Sequence, residues 1–296
     1  MLYTATLNEI ESNINTGVEY EIALFAKFIE SNKEEYQKVV ASINKRYDKG
    51  KVMSILHNTN IKPILDALAK RNLKLKDATF ETQNDNVGPA DIVMIIEDKD
   101  GNKNKIGLSV KYANTCTLNV TGRKFITDSQ ISELKALLPK YSKMYIQEMC
   151  KNYGDVSNWF RTRKPSKTTD AYIDLIRDAV IKNWPNVKNK SELLSVLFHI
   201  DSPIEFWIIT YHNNSYSLKT KPETIDVSRA NDVKVGKYQT SYVAFYLDGI
   251  MVGHMQVKFN NGFLERCKKT NPDISFQGVD MSYGQPFSSW NFSVEK

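Results

Sequence analysis

The chain has 296 residues, enough for one large domain or two small ones, with the 41% hydrophobic and 25% charged content of an ordinary globular protein. No apolar run approaches the roughly 18 residues of a membrane helix, MLYTATLNEIESNI (1–14) has no hydrophobic signal core, and Cys116, Cys150 and Cys267 form no CxxC; these features disfavour a membrane span, a secretory leader, a disulfide framework and a zinc site, and make the cytoplasm the expected compartment. The net charge of +6, from 40 basic and 34 acidic residues, suits attraction to a polyanion such as DNA, or solubility alone.

In chain order, residues 6–48 read as helical, with amphipathic segments rich in Glu and Lys. A second helix is expected near 60–72. DIVMIIED (91–98) is a β-type run, DKDGNKNK (98–105) a polar turn around Asp100-Gly101, and KIGLSVKY (105–112) a second strand; together they predict a β-hairpin. Residues 128–149 read as helical, with Pro139 expected to start or kink a helix. A basic loop, RTRKPSK (161–167), precedes an amphipathic helix over 168–184, stopped by Pro185, and a short helix over 191–199. The last third turns β-rich: 204–212, then 242–248 and 250–259 flanking Asp248-Gly249, and a final strand within 288–294. Helices, a hairpin, then more helices and strands predict a mixed α/β or α+β fold, with a boundary near 150–165.

Three chemistries have no visible seat: nucleotide hydrolysis, serine hydrolysis and zinc binding. There is no GxxxxGK[ST] loop, no GxGxxG after a strand and no GxSxG, and the four histidines lack metal-ligand spacing. Phosphodiester hydrolysis has one. It needs carboxylates to hold a hard cation and a nearby lysine to steady the phosphate. Asp91 opens the first hairpin strand, and Ser109 and Lys111 lie two apart on the second, on one face, with Leu108, Val110 and Tyr112 on the other. A helical wheel at about 100° per residue puts Glu19, Lys27 and Glu30 of GVEYEIALFAKFIE (17–30) on a solvent side. Glu21 falls nearly opposite, among Leu24, Phe25 and Phe28, where a carboxylate needs a cation, a metal or an ion-pair partner. Glu97 shares the parity of Asp91 but lies ~20 Å along the strand.

GPAD (88–91), a hairpin, then GLSVKYAN (107–114) resembles the PD-(D/E)XK nuclease core. The GxxxE from Gly17 to Glu21 is similar to the helix motif that precedes it in many restriction enzymes. Within that superfamily the pattern is most similar to the HaeIII-type type II restriction endonucleases. The resemblance covers about residues 15–150. It implies a restriction-endonuclease-like core over 1–150, a central sheet flanked by helices. A helical and β-rich DNA-recognition region over 151–296 would be separate or integrated with it. It further implies Mg²⁺ as cofactor, with Asp91 and Glu21 as metal ligands, Lys111 as catalytic lysine and Asn114 as support or phosphate contact. The sequence departs from the pattern at Ser109, where the family expects Asp or Glu. Implied partners are double-stranded DNA, with GGCC as the implied site, a second copy of the chain in a homodimer, and a companion methyltransferase. Residues expected at the DNA are Arg123, Lys124, Arg161, Arg163, Lys164, Gln239, Gln256, Lys258, Asn260 and Asn261, the basic ones on phosphates and the amides on bases. The alternatives are a DNA-binding protein with a degenerate nuclease core, a repair-type nuclease, or a structural Glu21–Lys111 ion pair.

Overall fold

A computed structural model describes residues 18–46, 49–80, 90–111, 117–156, 158, 166–212, 215–220, 225–259 and 275–294. In chain order the elements are α1 (Val18–Phe28), α2 (Lys33–Arg46), α3 (Lys49–Asn58), α4 (Lys62–Lys70), β1 (Lys74–Phe80), β2 (Ile92–Glu97), β3 (Lys103–Lys111) and β4 (Thr117–Val120). Then follow α5 (Asp128–Tyr153), α6 (Lys167–Asn183), α7 (Lys190–Leu197), β5 (Glu205–His212), β6 (Ser215–Lys219), β7 (Lys234–Tyr238), β8 (Tyr242–Leu247), β9 (Ile250–Gln256) and β10 (Trp290–Val294). The fold is mixed α+β, as expected. The strands form two five-stranded sheets, ordered β1-β2-β3-β5-β6 and β4-β10-β9-β8-β7.

Contacts divide the chain into two compact units, residues 1–116 with 198–224 and residues 117–197 with 225–296. This differs from the expected division at 150, which falls inside α5. The reason is long-range pairing: β3 binds β5 in parallel, Ile106 opposite Glu205 through Lys111 opposite Thr210. A parallel neighbour needs a long crossover, and the first stretch of unit 2 is that crossover.

In unit 1, IVMIIE of β2 is an almost uninterrupted apolar run, as suits a central strand. Its hairpin with β3 closes where expected: Asp98 Oδ1 accepts the N–H groups of Asp100 and Asn102, both at 2.9 Å, and Gly101 supplies a φ of +83°. Ile92, Met94, Leu108, Val110, Trp207 and Ile209 face a core filled by Ile22, Leu24, Phe25 and Phe28 of α1 and by residues of α3 and α4. The helical expectation for 6–48 resolves into α1 and α2, separated at 29–32; 6–17 and 47–48 lie outside the described residues. The helix α3 and the strands β1 and β6 were not anticipated.

Unit 2 has an antiparallel sheet. Phe125, Trp184, Phe245, Trp290 and Phe292 build its aromatic core, ring to ring at 5.5–6.2 Å. Thr127 caps α5 reciprocally with Gln130. Pro139 does not start a helix: α5 begins eleven residues before it, runs on through it and stops at Gly154 with φ +74°. Among the described residues no helix is long and apolar enough to cross a membrane.

Candidate active site

The β2–β3 ladder ends at Ile92 opposite Leu108, so Ser109–Lys111 run beyond their neighbour on that side. Asp91, one residue before β2, fills the vacated position. Its N–H donates to the Leu108 carbonyl (3.0 Å), and its Oδ2 accepts from the Val110 N–H (2.6 Å), the Lys111 ammonium (3.0 Å) and the Ser109 hydroxyl (3.3 Å). A strand amide left without a ladder partner thus orients the carboxylate. The Asp91 and Lys111 side chains remain 22% and 24% exposed, reachable by water and a substrate.

Ser109 and Lys111 share a face, as the strand period requires, and Leu108 and Val110 turn to the core. Ser109 is fully buried. Its hydroxyl acts as a hydrogen-bond donor to Asp91, and so steadies the aspartate.

Glu21, half-buried on α1, senses both residues. Its carboxyl is pushed up to about 8, first by burial, then by the negative charge of Asp91, with the Lys111 ammonium pulling the other way. Sequence reasoning also placed Glu19 on a solvent face, and this is corrected: Glu19 is only 8% exposed. The wheel assumed one wet side. Residues 22–26 of α1 are all buried, so the helix is enclosed on nearly all sides.

The donor set suits a hard cation of the magnesium type. Among the described residues only Oδ2 of Asp91 is engaged by donors, which leaves Oδ1 available, and the Glu21 carboxyl stands in a field that rewards added positive charge. No group of three or more His, Cys, Asp or Glu that could hold a metal occurs among the described residues. Two carboxylates completed by water and phosphate oxygens are a normal Mg²⁺ arrangement.

The chain matches no known family model and no curated protein.

Of the other expected site residues, those that are described belong to unit 2. Asn114, Arg161, Arg163, Lys164, Asn260 and Asn261 lie outside the described residues. Arg123 and Lys124 are exposed on a 3₁₀ turn of unit 2 (Gly122–Lys124). Gln239 is exposed at the β7–β8 turn with φ 45°. Gln256 ends β9, half-buried between Tyr242 of β8 and Asn291 of β10. Lys258 is half-buried, and desolvation holds its amine below the usual lysine value.

Two residues that sequence reasoning passed over shape these positions. Arg177, 4% exposed, donates to the carbonyls of Gln239, Thr240 and Tyr242 at 2.7–2.9 Å and to that of Tyr238 at 3.4 Å, so a single guanidinium fixes the turn that presents Gln239. An arginine beside the apolar stripe Tyr172, Ile173, Ile176 and Val180 was the available signal. Gly107 abuts Ala90, the residue before Asp91: a Cβ at 107 would stand 2.7 Å from the Ala90 Cβ. Its signal was a glycine inside a strand.

Proposed function

We propose that the chain is a Mg²⁺-dependent deoxyribonuclease of the PD-(D/E)XK type, acting on double-stranded DNA as a type II restriction endonuclease. The observation that carries this reading is the convergence on Asp91. One carboxylate is held by the Val110 amide, the Ser109 hydroxyl and the Lys111 ammonium, and the carboxyl of a second, Glu21, is raised first by its burial and then by the charge of Asp91. A structural ion pair alone needs no second carboxylate beside it, since that neighbour weakens rather than strengthens the pair.

In this reading Asp91 and Glu21 would be the protein residues that hold the ion. When bound, Mg²⁺ lowers the pKa of water and offsets phosphate charge. Lys111 holds the attacking water by hydrogen bonding and balances the charge that builds on the phosphate oxygens. Ser109 and the Val110 amide keep Asp91 aimed. Water oxygen bonds to phosphorus and gives up its proton to solvent, the bridging P–O bond to the leaving sugar breaks, and the sugar oxygen takes up a proton from solvent. Recognition at GGCC, action as a homodimer and a companion methyltransferase are parts of the same proposal.

Supercoiled plasmid incubated with Mg²⁺ tests it. Cleavage that disappears in Asp91→Ala and Lys111→Ala, both still folded, is expected; equal cleavage by these variants refutes the assignment. A second reading is favoured by the buried serine at the acidic position of the pattern: a DNA-binding protein with a degenerate nuclease core. It predicts DNA binding without turnover in any divalent metal.

A further inference from the structure

The positive charge of the chain is not spread evenly. Residues 117–197 and 225–296 hold 22 Lys and Arg against 15 Asp and Glu, whereas 1–116 and 198–224 hold 18 against 19. The whole excess therefore belongs to unit 2, the unit without Asp91, Lys111 and Glu21. Within it a cleft of about 630 Å³ opens between the Gly122–Lys124 turn, the middle of α5 and residues 280–288. That volume suits a small organic ligand.

The lining has three kinds of chemistry. Arg123 and Lys135 are exposed cations, and among the described residues neither is paired with a carboxylate. Pro139 and Phe287 give apolar walls. Pro139 also lacks the N–H that would have engaged the Lys135 carbonyl, so an acceptor is released in the same stretch of helix. Gln285 and Asp280 offer polar edges. Gln285 sits in the left-handed region (φ 41°, ψ 62°), unusual for a side-chain-bearing residue, and its backbone is pinned there by bonds from its N–H to Ser282 (3.2 Å) and from Ser288 to its carbonyl (3.1 Å). Asp280 is itself fixed, its Oδ1 accepting the Ser282 N–H at 2.8 Å.

We propose that this cleft binds one nucleotide unit: the phosphate between Arg123 and Lys135, the base against Pro139 and Phe287, and the base edge at Gln285. Paired cations fit a phosphate, an apolar wall fits a base face, and an amide offers both a donor and an acceptor to a base edge. The inference rests on the reading that the chain acts on DNA, in which case the nucleotide belongs to the bound strand; a free mononucleotide has the same chemistry.

Fluorescence anisotropy with a labelled duplex and calorimetry with the four deoxynucleoside monophosphates, both on the full chain in EDTA, separate these sources. Arg123→Gln and Lys135→Gln are each expected to weaken duplex binding roughly tenfold or more and to lower the slope of log K against log salt by about 1. Gln285→Gly removes the amide without a backbone penalty and should reduce preference among sequences. Lys62→Gln, in unit 1, is the control and should change neither affinity nor slope. If duplex affinity stays constant but monophosphate binding is lost in the variants, the cleft is a free-nucleotide site. Wild-type protein that binds and cuts DNA while all three cleft variants match it, with no monophosphate bound, overturns the cleft and spares the nuclease. Binding that depends on the cleft without cleavage in Mg²⁺ does the reverse. Wild-type protein that binds neither duplex nor monophosphate overturns both.

Discussion

Replacing Gly107 by alanine places one methyl group against the segment that carries Asp91. The new Cβ would lie 2.7 Å from the Ala90 Cβ, 3.2 Å from Ile204 Cδ1 and 3.5 Å from the Phe206 Cβ. Carbon atoms prefer about 3.5–4.0 Å, so the Ala90 contact is about 1 Å too short, and Ala90 has no rotamer with which to yield. A glycine-to-alanine change with room to spare stabilises by about 0.4–1 kcal/mol; overpacking of this kind costs about 1–3 kcal/mol. The clash wins, and Gly107→Ala should melt several degrees lower. The larger effect is on chemistry. Asp91 follows Ala90 directly and holds its carboxylate by a 2.6 Å bond to Val110, and a misplacement of ~1 Å in a catalytic group costs on the order of 10²-fold. Plasmid cleavage rates should fall by that order, with DNA affinity changed far less. Ala90→Gly in the same chain removes the offending Cβ and should restore most of the rate. A single variant that cuts within threefold of wild type, or a double variant as slow as the single, refutes this positioning role.

Further outcomes follow from titration and from Arg177. The Glu21 carboxyl is raised to about 8 from its ordinary 4.5, so the native state binds its proton more tightly than the unfolded chain. That contribution to stability is fully present below about 4.5 and is lost as pH rises through about 8; Glu21→Gln should flatten the fall in melting temperature over this window, and a fall of unchanged steepness contradicts it. Mg²⁺ should accordingly raise the melting temperature more at pH 8 than at pH 6, because protons compete for the same carboxylate. Burial lowers His199 to about 4 from 6.5, so its contribution is present above about 6.5 and is lost as pH falls through about 4; His199→Gln should be less acid-sensitive in a pH series of melts. Arg177→Ala leaves several carbonyls without donors and should cost about 3 kcal/mol by denaturant unfolding, and Arg177→Lys, lacking the planar fork, should recover only part.

What the sequence reveals and hides has a common cause. The β2–β3 hairpin was legible because its apolar runs are unbroken and its turn chemistry is local: Asp98, Asp100 and Gly101 determine it among themselves. The same period placed Ser109 and Lys111 together, and the wheel singled out Glu21 as the acid with an unusual environment. The wheel failed for Glu19 because burial there comes from elements distant in sequence. The strands β4 (TLNV), β6 (SYSLK) and β7 (KVGKY) are short and carry few apolar residues, and each exists because a neighbour accepts its edge. The unit division was hidden for that reason too: nothing near 116 or 198 announces that β3 will pair with a strand almost a hundred residues away. Ser109 as donor to Asp91, and Gly107 as its spacer, are three-dimensional facts about a contact between two strands.

A digest of sequenced circular duplex DNA in Mg²⁺, with every cut end mapped to the nucleotide, tests the nuclease proposal most directly. Discrete ends at one short recurring sequence, produced by wild-type protein and missing with Asp91→Ala, are predicted. Intact circles after incubation with Mg²⁺, Mn²⁺ or Ca²⁺, from protein that is folded and binds the same DNA, would contradict it.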